Sequence, residues 1–445
     1  MLNKVNVERF CNTAVIACYC ALIFFLPISI ALVESFAGGV IFFYVVKKIA
    51  SRDFKPHGSF LSAAMFANIL VVLTSLFFSK FFVFSLFSFF AKFLEGCFLY
   101  YSFVECFERK RHFQFFMGAL AASAVLICTS GLSQYLFHYE FVRGMPLDNE
   151  RISSTFRNAN DFGAYLIPMV TLTVAFLFHY VFSGGLRLGY KVVLGVLAVL
   201  PMVCLGMTYS RSSWLGFFGA IVLAGFVCRR LVQSVFLCVL FLAVFLPLMA
   251  LQRNVSFISD DSKGDKARVQ EIINSEQAGH KDTGSVWTKI VNDCRARAQL
   301  FTQQFCGMGR AGFWREAAHI IRKFPFFGTG LNTYSKIAPG YKLSWGGYPH
   351  NCYLQMAAEI GMIGLVSFFM LMGVLFVRAV KAIVPMRDAF LKSIAAGACA
   401  GLFGFLVQSG LDTTLYSVQL ANLMWIIMGL IVAAIAVDGK QKSGI

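Results

Sequence analysis

An all-α fold, a polytopic bundle of membrane-spanning helices, is what this sequence predicts, and three observations carry it. Hydrophobic residues fill 58% of the 445 positions and charged residues only 14%, far from the balance of a water-soluble domain. The apolar residues fall in runs of about 20, the length a helix needs to cross a hydrocarbon core. These runs lack the period-two alternation of barrel strands, and in lipid only helices and closed barrels satisfy every backbone group.

Taken in order, the candidate spans are 13–32, 33–47, 59–78, 81–104, 113–133, 161–183, 190–209, 212–228, 232–251, 351–376, 389–409 and 418–436, about twelve helices in all. The first run follows "MLNKVNVERF" with no small-residue cleavage site before the second, so it reads as an anchor that is retained. The organisation that follows is a single transmembrane domain over 1–436, a large loop at 252–350 inserted between the ninth and tenth spans, and a tail at 437–445.

The formal net charge of +17 suggests a nucleic-acid partner until the basic residues are sorted by loop. Lys47, Lys48, Arg52, Lys55, Arg109, Lys110, Arg111, Arg187, Lys191, Arg229, Arg230, Arg378, Lys381, Arg387, Lys392, Lys440 and Lys442 all fall in alternate short loops or the tail. The positive-inside rule makes that side cytoplasmic, together with both termini. The basic excess is a matter of topology, and no nucleic-acid partner is expected.

The outward loops are then about 134–160, 209–211, 252–350 and 410–417, and they hold Arg151, Arg157, Arg211, Arg310, His350 and Asp412. Candidate chemistry thus collects on one side of the membrane. A transporter would instead be expected to carry ionisable groups near the midplane and two related halves; here Lys92 and Glu95, three apart, can pair with each other.

Within 252–350, residues 266–274, 286–305 and 311–324 space their apolar positions as amphipathic helices do. Fourteen Lys and Arg against eight Asp and Glu suit an anionic ligand. Cys294 and Cys306 are either a disulfide on the outer side or two free thiols. The other cysteines mostly lie in spans, where they pack as small hydrophobes.

In "MTYSRSSWLGFF" Arg211 follows Ser210, a helix cap. A cation at the positive end of a helix either snorkels into headgroups or shares the site with an anion such as phosphate. "ERISSTFRNANDFGAYLIP" repeats the arrangement, with Arg151 and Arg157 ahead of Asn160 as cap of a helix starting at Asp161. "GRAGFWREAAHIIRKFPFFGTGLNTYS" adds Arg310, a helix and a "GTG" turn without the lysine of a P-loop.

"YPHNCYLQMAAEIGMIG" opens the tenth span with His350, then Asn351 as cap. The helix end disfavours imidazolium, and a neutral ring can serve as a general base or simply as an interfacial structural group. Asn351, Gln355 and Glu359 make a polar stripe below it, the pattern of interhelical glue. "DDSKGD" at 260–265 lacks calcium-loop spacing and no His or Cys pair has zinc spacing, so neither a metal nor another cofactor is expected.

The ordered set of motifs, "R-x-S-x-T-F-x-N-x-N", "S-R-x-x-W", "R-x-x-x-W…P-x-x-G-x-G" and "H-N-x-Y-L-Q…E-x-G-x-x-G", resembles the bacterial O-antigen ligase family and the related O-antigen polymerases over about 150–375. The resemblance implies a protein of the bacterial inner membrane with a periplasmic active site. Its activity would be a metal-independent, inverting transfer of a glycan from undecaprenyl diphosphate to a sugar hydroxyl of lipid A-core. Arg211 and Arg310 would hold the diphosphate, and His350 would take the acceptor's proton. Arg151 and Arg157 would support them, with Asn160, Asn351 and Tyr353 binding substrate. Arg157 and Ala159 stand where the family often has Gly and Pro, and 260–310 shows no family motif. A polymerase would use the same donor with another lipid-linked glycan as acceptor.

Overall fold

The computed structural model describes residues 4–55, 58–148, 150–180, 187–264, 308–338 and 348–443. Among these the chain is helical apart from turns and two isolated bridges, Tyr139 with Pro146 and Asp148 with Arg151. The long helices are α1 (Lys4–Phe25), α2 (Ile30–Ser51), α3 (Ser62–Phe77), α4 (Phe82–Cys106), α5 (Lys110–Phe137), α6 (Ala159–Tyr180), α7 (Leu188–Met207), α8 (Arg211–Val227) and α9 (Leu231–Gly264). After them come α10 (Met308–Lys323), the short α11 (Tyr334–Ile337), α12 (Cys352–Ile383), α13 (Ala389–Ser409) and α14 (Val418–Ser443).

Among the described residues, ten helices are long and apolar enough to cross a membrane, and α3 and α8 are shorter apolar helices. Each apolar run marked in the sequence overlaps one of them, although the run at 13–32 leaves α1 at Phe25 and crosses the turn into α2. The run at 33–47 belongs to a full 22-residue helix capped by Ser29. α14 continues as helix through the expected tail at 437–445 as far as Ser443. The Asp438 carboxylate accepts the Arg387 and Asp388 N–H groups, which pins those last turns to the α12–α13 turn. The region predicted as amphipathic at 311–324 is α10; the helices expected at 266–274 and 286–305, with Cys294 and Cys306, lie outside the described residues.

α13 forms the centre of the bundle, packed on α6, α8 and α14. Its sequence "SIAAGACAGLFG" explains this, because lipid offers no hydrophobic drive and small residues let helix backbones approach closely. Gly404 of α13 meets Gly216 of α8 so tightly that a Cβ on either would strike the other's carbonyl oxygen. One end of the bundle is tied together by loops. Thr155 donates to Pro27 O, Gln419 to Leu26 O, and the Ile152 N–H to Met207 O.

α12 is broken at Gly361, whose φ of 74° and ψ of 177° are outside the helical region. The break leaves the Ala358 and Glu359 carbonyls without their helical partners, and the Thr329 and Gly330 N–H groups replace them at 3.0 and 2.7 Å. In return the Met362 and Ile363 N–H groups donate to Pro325 and Phe326 O. The "GTG" turn is thus spliced into a transmembrane helix, which satisfies non-helical backbone at membrane depth. Its Thr329 and Gly330 N–H groups are engaged with α12 and do not form a phosphate cradle.

Glu359 completes this joint. Its fully enclosed carboxylate accepts from the Asn332 N–H at 2.8 Å, the Tyr334 N–H at 3.2 Å and Gln355 Nε2 at 3.1 Å. The polar stripe is therefore glue, holding the loop to α12. We expect Glu359→Gln to lower stability by about 1–3 kcal/mol, since an amide donor would then face one of those N–H groups. A falling unfolding midpoint, with faster proteolysis at 325–334, is the readout; an unchanged midpoint would contradict the assignment.

Candidate active site

The site is built where the 151–160 segment, the 208–211 turn, the start of α12 and the 410–417 loop meet. Asn351 caps α12, accepting the Tyr353 and Leu354 N–H groups. That holds His350 one residue outside the helix, at φ 48°. Its Nδ1 lies 3.2 Å from Asp412 Oδ1. An ionised carboxylate can only accept, so Nδ1 carries the proton and Nε2 is left as the basic nitrogen.

Asp412 is fixed in turn. Its carboxylate accepts the Thr413 N–H at 2.8 Å and Asn160 Nδ2 at 2.6 Å, while its carbonyl accepts the Cys352 N–H. Burial alone would raise this carboxyl, but the bonds from His350, Thr413 and Asn160 outweigh it and hold it below the usual carboxylate range. A depressed folded-state value means a stabilising contribution that is present above about pH 4 and lost as pH falls through the depressed value. Hydrogen exchange at the Cys352 and Thr413 amides should accelerate across that acid window and stay level from there to neutrality; acceleration on raising pH beyond the intrinsic trend would refute the sign.

Asn160 links this pair to the arginines. The helix it was expected to cap starts at Ala159, and Asn158 is the cap, its Oδ1 accepting the Asp161 N–H at 2.8 Å. That correction releases the Asn160 side chain, which bridges Asp412 and Arg151: its Oδ1 accepts Arg151 Nη2 at 2.9 Å. Arg151 Nε donates to Thr208 O at 2.8 Å, three residues before Arg211. Arg211 opens α8 behind the Ser210 cap, as the sequence suggests.

A continuous hydrogen-bonded line therefore runs His350–Asp412–Asn160–Arg151 and ends on the turn that carries Arg211. The imidazole keeps 43% exposure against 9% for Asp412, so a substrate can reach the base while the carboxylate is shielded. Non-glycine residues in the left-handed region, namely Glu150, Ser154, Tyr209 and His350, occur in the segments that converge here. Such strain costs about 1–3 kcal/mol per residue and persists where the surroundings over-determine it.

The α10 helix closes one side. Phe313 packs edge-on to the His350 ring at 5.9 Å, and Trp314 Nε1 donates to Pro349 O at 3.0 Å. Arg310 stands one turn earlier on α10; its side chain is outside the described residues. Arg157 is exposed, within electrostatic reach of Asp161, and is not part of the line. The Tyr353 hydroxyl donates to Leu406 O at 2.5 Å and its ring packs on Phe369, tying α12 to α13.

Asp412 is the residue that sequence reasoning left without a role. The signal was present: a carboxylate in a short loop on the histidine's side, where a general base needs a group to orient it. Among the described residues no group of three His, Cys, Asp or Glu side chains is arranged to hold a metal ion.

No curated protein matches the chain. Residues 194–369 match the family model described as O-Antigen ligase. The matched segment contains Arg211, Arg310, His350, Asn351 and Tyr353, and leaves Arg151, Asn160 and Asp412 outside it. Over those residues, and in its helical membrane fold, the chain is similar to the O-antigen ligase family.

Proposed function

We propose that this protein transfers a glycan from undecaprenyl diphosphate to a sugar hydroxyl of lipid A-core, at the periplasmic face of a bacterial inner membrane. The observation that carries the reading is the line from His350 through Asp412 and Asn160 to Arg151, ending beside Arg211. It joins a base to fixed positive charge, and the reaction needs both.

His350 Nε2 takes the proton of the acceptor hydroxyl as its oxygen attacks the anomeric carbon. A new C–O bond forms, the bond from that carbon to the diphosphate oxygen breaks, and the configuration inverts. The electron pair leaves with the diphosphate, whose growing charge Arg211 and Arg310 stabilise, with Arg151 behind them. Arginine suits this role because it stays protonated and its planar fork matches phosphate oxygens. Asp412 orients the imidazole and stabilises the imidazolium that forms. No metal enters this scheme.

The single large loop between α9 and α12 favours a ligase over a polymerase, which would extend a second lipid-linked glycan. A reconstituted assay with purified protein, undecaprenyl-diphosphate glycan and lipid A-core, run in EDTA, separates the two. Product on lipid A-core is expected, and Arg211→Ala should lower its rate by about 10²- to 10³-fold, the scale of losing one transition-state donor. Chain growth on the carrier without lipid A-core would establish a polymerase instead. A protein that moves solute and makes no product would be a transporter.

A further inference from the structure

A cavity lies between α2, α3, α4, α12 and α14, apart from the His350 line, with about 1040 Å³ of empty space when its open mouth is included. Its walls are mainly apolar and aromatic, including Val72, Phe93, Ile360, Phe368 and Trp425. Four ionisable side chains also line it: Glu34, Lys92, Glu95 and Glu359, the last already bound by Asn332, Tyr334 and Gln355 in the α12 joint, which leaves the first three for a guest. Glu34 is within electrostatic reach of both others, and Glu95 accepts from Asn422 Nδ2 at 3.1 Å.

The expected pairing of Lys92 with Glu95 does not form. Residues Phe89–Leu94 make a turn of π-helix, which breaks the i,i+3 alignment that would join them. None of the three is ion-paired among the described residues. Charge on a membrane helix is unfavourable, and where it persists it marks a site or a watery cavity.

Two further features define the occupant. Glu34 and Lys92 are exposed on the side of the bundle while Trp425 and Ile360 are buried, so the cavity runs inward from a lateral mouth. Glu34 and Asn422 lie in the second turns of α2 and α14, and the start of α14 is joined to the loop before α2 by the Gln419–Leu26 bond at the His350 end. Charged groups at that depth and an apolar interior beyond them match a lipid entering sideways, head at the mouth and chain inside.

We propose that this cavity binds a zwitterionic phospholipid of the surrounding bilayer, its cationic head group at Glu34 and Glu95, its phosphate at Lys92 and one acyl chain against Phe93 and Trp425. Charge complementarity selects this class. An anionic head would add negative charge beside the Glu34 and Glu95 carboxylates, and a purely apolar guest would leave Glu34, Lys92 and Glu95 without a counter-charge. The assignment is independent of the transferase reading.

Trp425 is the reporter, because it is 6% exposed and bulk lipid does not reach it. The protein and Trp425→Phe are placed in phosphatidylglycerol nanodiscs containing small fractions of phosphatidylethanolamine brominated on its acyl chains, or of phosphatidylglycerol brominated likewise. The difference in quenching between the two proteins isolates Trp425. We expect the brominated phosphatidylethanolamine to quench at about fivefold lower mole fraction, and Glu95→Gln, Lys92→Gln and Glu34→Gln each to erase most of that preference. Glu34 is exposed, so its variant keeps the fold. Equal quenching by both lipids, a preference for the anionic one, variants that leave the preference intact, or no quenching of Trp425 would each overturn the proposal. Transfer activity that survives any of those results leaves the reaction assignment standing.

Discussion

His350→Ala should reduce glycan transfer by about 10²- to 10⁴-fold, the contribution of a positioned general base. Asp412→Asn should reproduce most of that loss without touching the imidazole, because an asparagine facing Nδ1 no longer dictates which ring nitrogen holds the proton. The two effects should not add: once His350 is gone, the 3.2 Å bond to Asp412 has nothing to orient. In steady-state kinetics the loss should fall in kcat, with KM for the lipid-linked donor nearly unchanged, since neither residue is assigned to the diphosphate. Asn160→Ala should have a smaller effect of the same kind, through the bond at 2.6 Å that anchors Asp412. Full activity in a correctly folded Asp412→Asn protein would remove Asp412 from the mechanism, and additive losses in the double variant would break the coupling.

Gly361→Ala should destabilise the protein by more than about 3 kcal/mol, combining an unfavourable left-handed conformation with a direct collision. At φ 74° an alanine is strained whatever the space, and its Cβ would meet the Phe326 carbonyl and the Phe327 N–H. Relief would require the 325–330 segment to withdraw, which releases four backbone hydrogen bonds between it and α12 at a depth where water is scarce. Loss of the folded monomer in detergent, or a large fall in unfolding midpoint, is the expected result. Because Phe313 and Trp314 lean on His350 and Pro349 from the helix that this segment follows, residual folded protein should also lose activity. An alanine variant with unaltered midpoint would mean that α12 can heal its break, and the spliced joint would not be a structural requirement.

Much of the architecture is legible locally. Apolar runs mark the long helices because a helix in lipid must satisfy its own backbone and face hydrocarbon, conditions that each segment meets by itself. Caps are local as well, and Ser210 and Asn351 are found where their neighbours predict. The Asn160 cap fails by two residues because Asn158 also fits the pattern, and only the position of Arg151 and Asp412 decides which asparagine is released for other use.

What the sequence alone determined about this protein is a helical membrane bundle, a polar set gathered in one group of loops, and His350 and Arg211 each at a helix start. Only the tertiary structure decided that Asp412, 62 residues from His350, is its partner. It also decided that the "GTG" turn repairs a broken helix, and that Lys92 and Glu95 share a cavity without pairing. The physical reason is the same in each case. Helix formation is governed by neighbours a few residues apart, whereas a hydrogen bond between distant loops exists only once packing has brought them within about 3 Å.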